Sequence, residues 1–345
     1  MDGIINIYKE KGYTSHDVVA KMRGILRMRK IGHTGTLDPE AEGVLPVCLG
    51  AGTKLCDLLA DRTKTYRTVL LLGQETDTQD TTGTVLARYP VQVTEEGVRQ
   101  TAASFLGTYM QVPPMYSALK VNGKKLYQLA RAGKEVERPP RPVEILALQV
   151  EEIRLPRVVM EVTCSKGTYI RTLCHDMGKR LGCGGCMESL VRTRVDRFRL
   201  EDSLTLAQLE ALRDAGRVED VLLPVDQVFA GLPGIRMETE GMGDRLVHNG
   251  NPFLPHQAIL WKLPEGEGQM EKTDHGKMAA VVGTASEQDP ALIGRDSDTG
   301  RISPEFLKNF PKVRVYDSSS RFIGIYEYRE EKGRYQPFKI FPGGS

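Results

Sequence analysis

Residues 44–49, Val-Leu-Pro-Val-Cys-Leu, form an unbroken apolar run that reads as a buried strand, one that other strands must flank. An amphipathic helix precedes it. Val18, Val19, Met22, Ile25 and Leu26 recur at i, i+1, i+4, i+7 and i+8 on a single face, with Ser15 placed to cap the N-terminus. Between helix and strand lies Gly32-His33-Thr34-Gly35-Thr36-Leu37-Asp38-Pro39. Pro39 drives Asp38 out of the helical region into an extended conformation. Gly32 and Gly35 permit backbone shapes and close approaches that a side chain would block. Asp38 is therefore either turn punctuation or a carboxylate presented at the end of a scaffold element, where catalytic groups concentrate.

Further strands are expected at 4–7, at 66–72, which is rich in β-formers, and at 158–163, where apolar and polar residues alternate. A helix opens near residue 170, with Ile170, Leu173, Met177 and Leu181 at helical intervals. Arg171 sits at its start, where a lone cation opposes the helix macrodipole, so a nearby carboxylate or phosphate is expected. From about residue 230 the texture changes. Short β-like segments at 259–262, 278–283, 313–316 and 322–328 are separated by Gly, Asp and Pro and read as a small all-β domain. Within it, 263–302 is acidic and glycine-rich and reads as a long loop. A chain of 345 residues fits this division into two domains.

Whole-chain charge says little about partners, because 47 Lys and Arg stand against 45 Asp and Glu. Local charge says more. Residues 21–30 (KMRGILRMRK) carry five basic groups and no acid, which makes either a solvated helix face or a phosphate-contacting patch. Residues 113–142 form an insert with Pro at both ends, seven Lys or Arg against two Glu, and tyrosines at 116 and 127. Interleaved rings and cations suit RNA, cations for phosphate and rings for bases, better than they suit a merely solvated loop.

Other polar stretches read less sharply. Glu75, Asp77 and Asp80 make a polar hairpin loop rather than a metal site, since no calcium-loop spacing follows. Gly50-Ala-Gly-Thr-Lys54 lacks the full phosphate-loop spacing, so a nucleotide hydrolase is not expected. Six cysteines in a chain that begins without a signal pattern fit a reducing compartment. Of these only Cys183-Gly-Gly-Cys186 has ligand-like spacing, and no second pair completes a zinc site. No apolar run approaches the ~18 residues that cross a bilayer. A soluble, cytoplasmic protein is expected.

Taken together, GHTGTLDPEAEGVLPVCLGAGTK, Lys64-Thr-Tyr66-Arg, GQETDTQDTTG, VPPMYSALKVNGKKLY, CSKGTYIRTL and Leu190-Val-Arg192 closely resemble the TruB family of tRNA pseudouridine synthases. The blocks stand in family order and span roughly residues 2–225. The resemblance implies an α+β fold, with a long mixed, largely antiparallel sheet in a catalytic domain over 1–229. A small PUA-like β domain over 230–345 would touch the acceptor end of tRNA, and 113–142 would be the thumb loop that clamps RNA. It implies that uridine 55 of the T-loop becomes pseudouridine, in a monomer, with no metal, organic cofactor or guide RNA. Asp38 matches the family's catalytic aspartate, Tyr66 the tyrosine that stacks on the target base, and Arg171 the arginine that pairs with the aspartate. Leu190 matches a leucine lining the pocket, and His33 the histidine that wedges into the T-loop. Lys64, Lys166, Tyr169, Lys120, Lys124 and Lys125 fall in the same blocks and are expected to bind RNA. Asn249-Gly-Asn-Pro252 fits the family, whereas 263–302 departs from it. The other reading of the same surface is a non-catalytic protein that binds and folds tRNA.

Overall fold

The computed structural model describes residues 1–341 except 122, 239–240, 265–269, 273–277, 281–301 and 303. The acidic stretch 263–302 therefore lies for the most part outside the described residues. The chain opens with β1 (Gly3–Lys9), helix α1 (Ser15–Leu26), the short β2 (Ile31–His33) and β3 (Glu42–Leu49). A 3₁₀ turn over Gly50–Leu55 and helix α2 (Cys56–Ala60) lead to β4 (Lys64–Leu72). Next come the hairpin β5–β6 (Gln74–Thr76 and Val85–Arg88), α3 (Glu95–Ala103) and β7 (Gly107–Gln111). The 113–142 insert holds a small hairpin, β8–β9 (Lys120–Val121 and Lys124–Lys125), and α4 (Leu126–Arg131). Then follow β10 (Arg141–Arg154), β11 (Arg157–Cys164), α5 (Ile170–Arg180), β12 (Gly185–Val195), β13 (Phe198–Arg199), α6 (Leu206–Asp214) and β14 (Leu223–Pro224).

These strands build a ten-stranded sheet ordered β14-β1-β3-β12-β4-β11-β10-β7, with β13 on β12 and β2 on β3. All its pairings are antiparallel except β12 on β3. The expected long, mixed, largely antiparallel sheet is what forms. In β4 every second residue from Lys64 to Leu72 is buried, the period-2 pattern of a strand with one covered face. In α5, Ile170, Leu173 and Met177 are buried against that face, in one core with Tyr66, Leu70, Met160, Val162 and Leu190. Helix α1 buries Val18, Val19 and Met22 against β1, β3 and α6.

The helix cap differs from expectation by one residue. Thr14, not Ser15, is the N-cap: its side chain accepts from the Asp17 N–H, and Asp17 bonds back in a capping box. Ser15 begins the helix, and its Oγ accepts from the Leu37 N–H at 2.9 Å. The serine thus ties the helix to the loop that carries Asp38.

A second, five-stranded sheet follows. Its strands are β15 (Gly234–Met237), β16 (Ala258–Lys262), β19 (Lys312–Tyr316), β20 (Phe322–Arg329) and β21 (Arg334–Ile340), ordered β16-β15-β19-β20-β21. Between β16 and β19 lie the pair β17–β18 (Met270–Lys272 and Met278–Ala280) and α8 (Pro304–Asn309), while α7 (Met242–His248) follows β15. Phe253, Val313, Val315, Tyr326 and Tyr335 form this sheet's own core. Phe322 and Phe341 instead pack with Phe229 and the β1–β3 side of the large sheet. Lys54 donates to the Ile340 carbonyl at 2.8 Å, so the end of the expected non-phosphate loop fastens the two sheets together. No described helix is long and apolar enough to cross a membrane.

The parallel pairing of β12 with β3 needs a residue without a Cβ. Gly43 has φ +105°, and a Cβ there would stand 2.3 Å from the Arg192 carbonyl oxygen. Gly43→Ala is expected to lose about 1–3 kcal/mol from backbone strain alone, with the steric clash adding to it. Calorimetric unfolding checks this; an unchanged melting temperature contradicts it.

Candidate active site

The loop between β2 and β3 is pinned on both sides of Asp38. Leu37 and Ala41 are buried in the large sheet's core, and the Ala41 N–H donates to the Asp38 carbonyl at 3.1 Å. Beneath the loop, Lys9 is fully buried, and its Nζ donates to the carbonyls of Pro39 at 3.0 Å, Glu10 at 3.2 Å and Ala41 at 2.5 Å. Burial lowers that amine to about 8, against the opposing pull of Glu42, Asp38 and Glu40. With its backbone so held, Asp38 turns its carboxylate into a cleft of about 860 Å³.

Arg171 faces it from the first turn of α5. Its NH2 lies 3.2 Å from Asp38 Oδ2 and donates to the Tyr116 carbonyl at 2.7 Å. Its NH1 lies 3.8 Å from Asp80 Oδ2. The anion expected beside this cation is thus a pair of carboxylates. Arg171 is only 7% exposed, whereas Asp38 is 41% open to the cleft. The guanidinium is the fixed partner and the carboxylate the accessible one.

Asp80 was legible only as part of a polar hairpin, and the hairpin does form. Its oxygen Oδ1 accepts from Thr78 Oγ1 at 2.7 Å and from the Thr82 N–H at 3.0 Å, the local bonding typical of an Asx turn. The same turn is docked on α5 and β12. Gln79 accepts from Thr172 Oγ1 at 2.7 Å, and backbone bonds link Gln79 and Thr81 to Met187. Nothing in the spacing joins residue 80 to residue 171; the signals were the loop's three carboxylates and its place in the GQETDTQDTTG block.

Arg171 favours the ionised form of Asp38 but does not decide the net result. Burial raises the Asp38 carboxyl above its ordinary value and outweighs Arg171, while Asp80 adds to the rise and Lys9 opposes it. A carboxylate that must leave water on most sides loses more solvation than one flanking cation, shared with Asp80, restores.

Tyr66 on β4 and Leu190 on β12, each 8% exposed, line the same cleft. So do Tyr169, which precedes α5 and is fixed by two bonds to the Gln111 amide, and Tyr127 of the insert. Tyr127 has the Lys125 amine and the Arg131 guanidinium each 5.6 Å from its ring centre. Lys124 is exposed and Lys125 half-buried, while of Lys120 only the backbone, in β8, is described.

Lys64 and Lys166 are placed differently from one another. Lys64 is buried, with Nζ donating to the carbonyls of Ala60 at 2.8 Å and Arg62 at 2.6 Å, and burial lowers it to about 8. It forms part of the cleft floor and is not displayed for phosphate. Lys166 is exposed but paired with Asp61 at 2.8 Å, outside the cleft lining. Lysine's long stem reaches local partners that sequence cannot show.

The chain matches the family model "TruB family pseudouridylate synthase (N terminal domain)" over residues 23–170. It matches "tRNA pseudouridylate synthase B C-terminal domain" over 171–230. It is 47% identical to the tRNA pseudouridine synthase B of Lachnoclostridium phytofermentans, over 99% of this chain and 100% of that one. The chain belongs to the TruB family. The corresponding protein of Alkaliphilus oremlandii is 51% identical over 66% of this chain and 75% of its own length. TruB proteins are isomerases that form pseudouridine in tRNA, and the chain is one of them. In fold, it superposes on a chain of a Cbf5-Nop10-Gar1 complex with TM-score 0.63 at 24% identity, covering 99% of this chain and 85% of that one. The L. phytofermentans protein is matched end to end, so a TruB chain of this length is shared.

His33 ends β2, half-buried and edge-on to His16 at 5.3 Å between ring centres. It lies outside the cleft lining, one loop from Asp38. Burial, helped by the charges of His16 and Arg192, lowers it to about 4, so the ring is neutral at pH 7. An NMR titration is expected to give a midpoint near 4; a midpoint near the ordinary value of about 6.5 contradicts the burial described. The folded-state value lies below the unfolded one, so the unfolded chain binds more protons between them. His33's contribution to stability is therefore constant above about pH 6.5 and falls as pH drops toward about 4.

Proposed function

We propose that this TruB chain modifies the uridine at position 55, in the T-loop of tRNA, with Asp38 as the group on which the reaction depends. The observation that carries the reading is the convergence on one cleft of Asp38, Arg171, Tyr66 and Leu190, supplied by a loop, a helix and two strands. The base is flipped out of the tRNA elbow, at a cost of a few kcal/mol. Tyr66 offers a ring face to the flipped uracil, Leu190 closes the pocket wall, and His33 fills the vacated space, a role that suits a neutral ring. Tyr127, with Lys125 and Arg131 beside it, has the mixture of ring and charge that binds unstacked RNA, in keeping with a clamping role for 113–142. The 230–345 segment is read as the PUA-like domain that meets the acceptor end.

Pseudouridylation breaks the C1′–N1 bond, turns the uracil and joins it through C5. Asp38 serves by attack at C1′, by attack at C6 or by removing a proton at C2′. Every one of these routes needs the carboxylate ionised. Arg171 favours that form and also aims it, because two carboxylates hold the guanidinium while its NH2 is bonded to Tyr116.

Purified protein is expected to form pseudouridine in an unmodified T-arm stem-loop without added metal, and Asp38→Asn to abolish it. Turnover by the Asn variant, measured by release of the C5 proton, would overturn the role of Asp38; loss of turnover on chelation would overturn the metal-free reaction. Arg171→Lys is expected to slow the reaction roughly 100-fold or more, since a misplaced reacting group costs that much and lysine lacks the guanidinium fork.

The pH dependence follows from the same pair. Activity falls as pH drops through the raised Asp38 value, and Arg171→Met removes the opposing cation, so the acid limb of the pH–rate profile moves to higher pH. An acid limb that stays in place contradicts the electrostatic part of Arg171's role.

A further inference from the structure

Arg192 is a guanidinium buried to 1% exposure, and no carboxylate among the described residues pairs with it. Its Nε donates to the Val44 carbonyl at 2.7 Å and its NH2 to the Gly35 carbonyl at 3.3 Å. Holding a charged group out of water costs several kcal/mol unless opposite charge compensates, and two neutral carbonyls do so only in part. A clamp between β3 and the catalytic loop needs donors but no net charge. The charge itself calls for something that uses it.

Three observations identify that something as the Tyr66 hydroxyl. Arg192 and Tyr66 are direct cross-strand partners in the β12–β4 register. Both line the cleft that holds Asp38. The guanidinium charge acts on the phenol oxygen across this strand pair. The other ionisable groups facing Tyr66 are Cys164 on β11 and Asp38 on its loop, with Lys64 next to Arg192 on the cleft floor. Asp38 and Cys164 oppose a negative phenol oxygen, burial opposes it more strongly still, and Arg192 is the largest influence in its favour.

We infer that Arg192 is a positioning residue that acts through Tyr66, holding the phenol oxygen in place and stabilising it as an anion when it takes the proton from C5 of the rejoined uracil. This rests on the reading of Tyr66 given above. The step balances without a co-reactant. When C5 has bonded to C1′, its C–H bond breaks, the electron pair restores the ring double bond, and the proton passes to the phenolate oxygen. N1, freed of its bond to C1′, takes a proton in return. The backbone bonds to Val44 and Gly35 set where the guanidinium stands, and so place the phenol relative to the Asp38 loop.

The test uses the whole protein in two forms. In the free enzyme carrying ¹³C-labelled tyrosine, Arg192→Gln is expected to move the Tyr66 phenol titration upward by about one pH unit or more, a tenfold change in the phenolate fraction, while Arg192→Lys moves it less. In single-turnover reactions on a T-arm stem-loop, Arg192→Gln is expected to be slowed about tenfold or more near neutral pH and to recover toward the wild type as pH rises. A role confined to folding or to clamping the loop slows the reaction equally at every pH, and that result overturns the inference, as does an unmoved Tyr66 titration. Should the Gln variant not fold, Arg192→Lys decides. Its loss of rate is expected in the Tyr66 background and to vanish in Tyr66→Phe, and equal losses in both overturn the proposal. Wild-type protein that leaves the stem-loop unmodified would count against the position-55 reading alone, because the titration of the free enzyme still decides the role of Arg192.

Discussion

The site depends on one seam in the large sheet, where β12 lies antiparallel to β4 on one edge and parallel to β3 on the other. The parallel contact spans only two register pairs, Val191 with Glu42 and Arg192 with Gly43. Parallel partners cannot be joined by a tight turn, so this contact is made late in the chain and over a long separation. It brings together two antiparallel sets of strands that would otherwise be separate sheets. One set carries the Asp38 loop at the start of β3. The other carries Tyr66 and, through α5, Arg171. Without the seam these groups would belong to different layers, and the glycine at 43 is what lets the backbones come close enough.

Much of this was legible where side-chain pattern and environment agree. The apolar run at 44–49, the β-formers of 66–72, the alternation in 158–163 and the stripe on α1 each correspond to an element of the expected type with one face buried. The pattern is weakest where polar residues do interior work. β12 contains Arg192 at a buried position and Glu188 and Arg194 besides, so no apolar period marks it as central. β10 is 14 residues long, but its exposed residues mix charged, polar and apolar types and only Val143 and Ile145 are buried. Ser15 was assigned a local capping role because serine before an apolar stripe usually has one. Its hydroxyl is used instead by Leu37, 22 residues away, and no local rule could show that.

The site residues divide along the same line. Asp38, Tyr66, Leu190 and Arg171 came from motif resemblance, and the cleft does bring them together. Asp80, Lys9 and Arg192 were either read as loop chemistry or not singled out, because each acts through contacts with residues distant in sequence. Lys64 stood out as a cation and is instead an interior donor to two carbonyls.

Four cations are buried in or under this cleft, and the way each is compensated separates their roles. Arg171 is matched by two carboxylates, so its charge is largely spent within the protein on aiming Asp38. Lys9 and Lys64 donate to backbone carbonyls alone, and burial lowers both to about 8, so they serve chiefly as ties between chain segments. Arg192 is also matched only by carbonyls, but a guanidinium does not give up its proton under such burial. Of these four it is therefore the one that keeps its charge at every working pH with no carboxylate paired to it. An uncompensated charge in a low-dielectric wall acts strongly on whatever lies beside it, and the group across the strand pair from it is Tyr66.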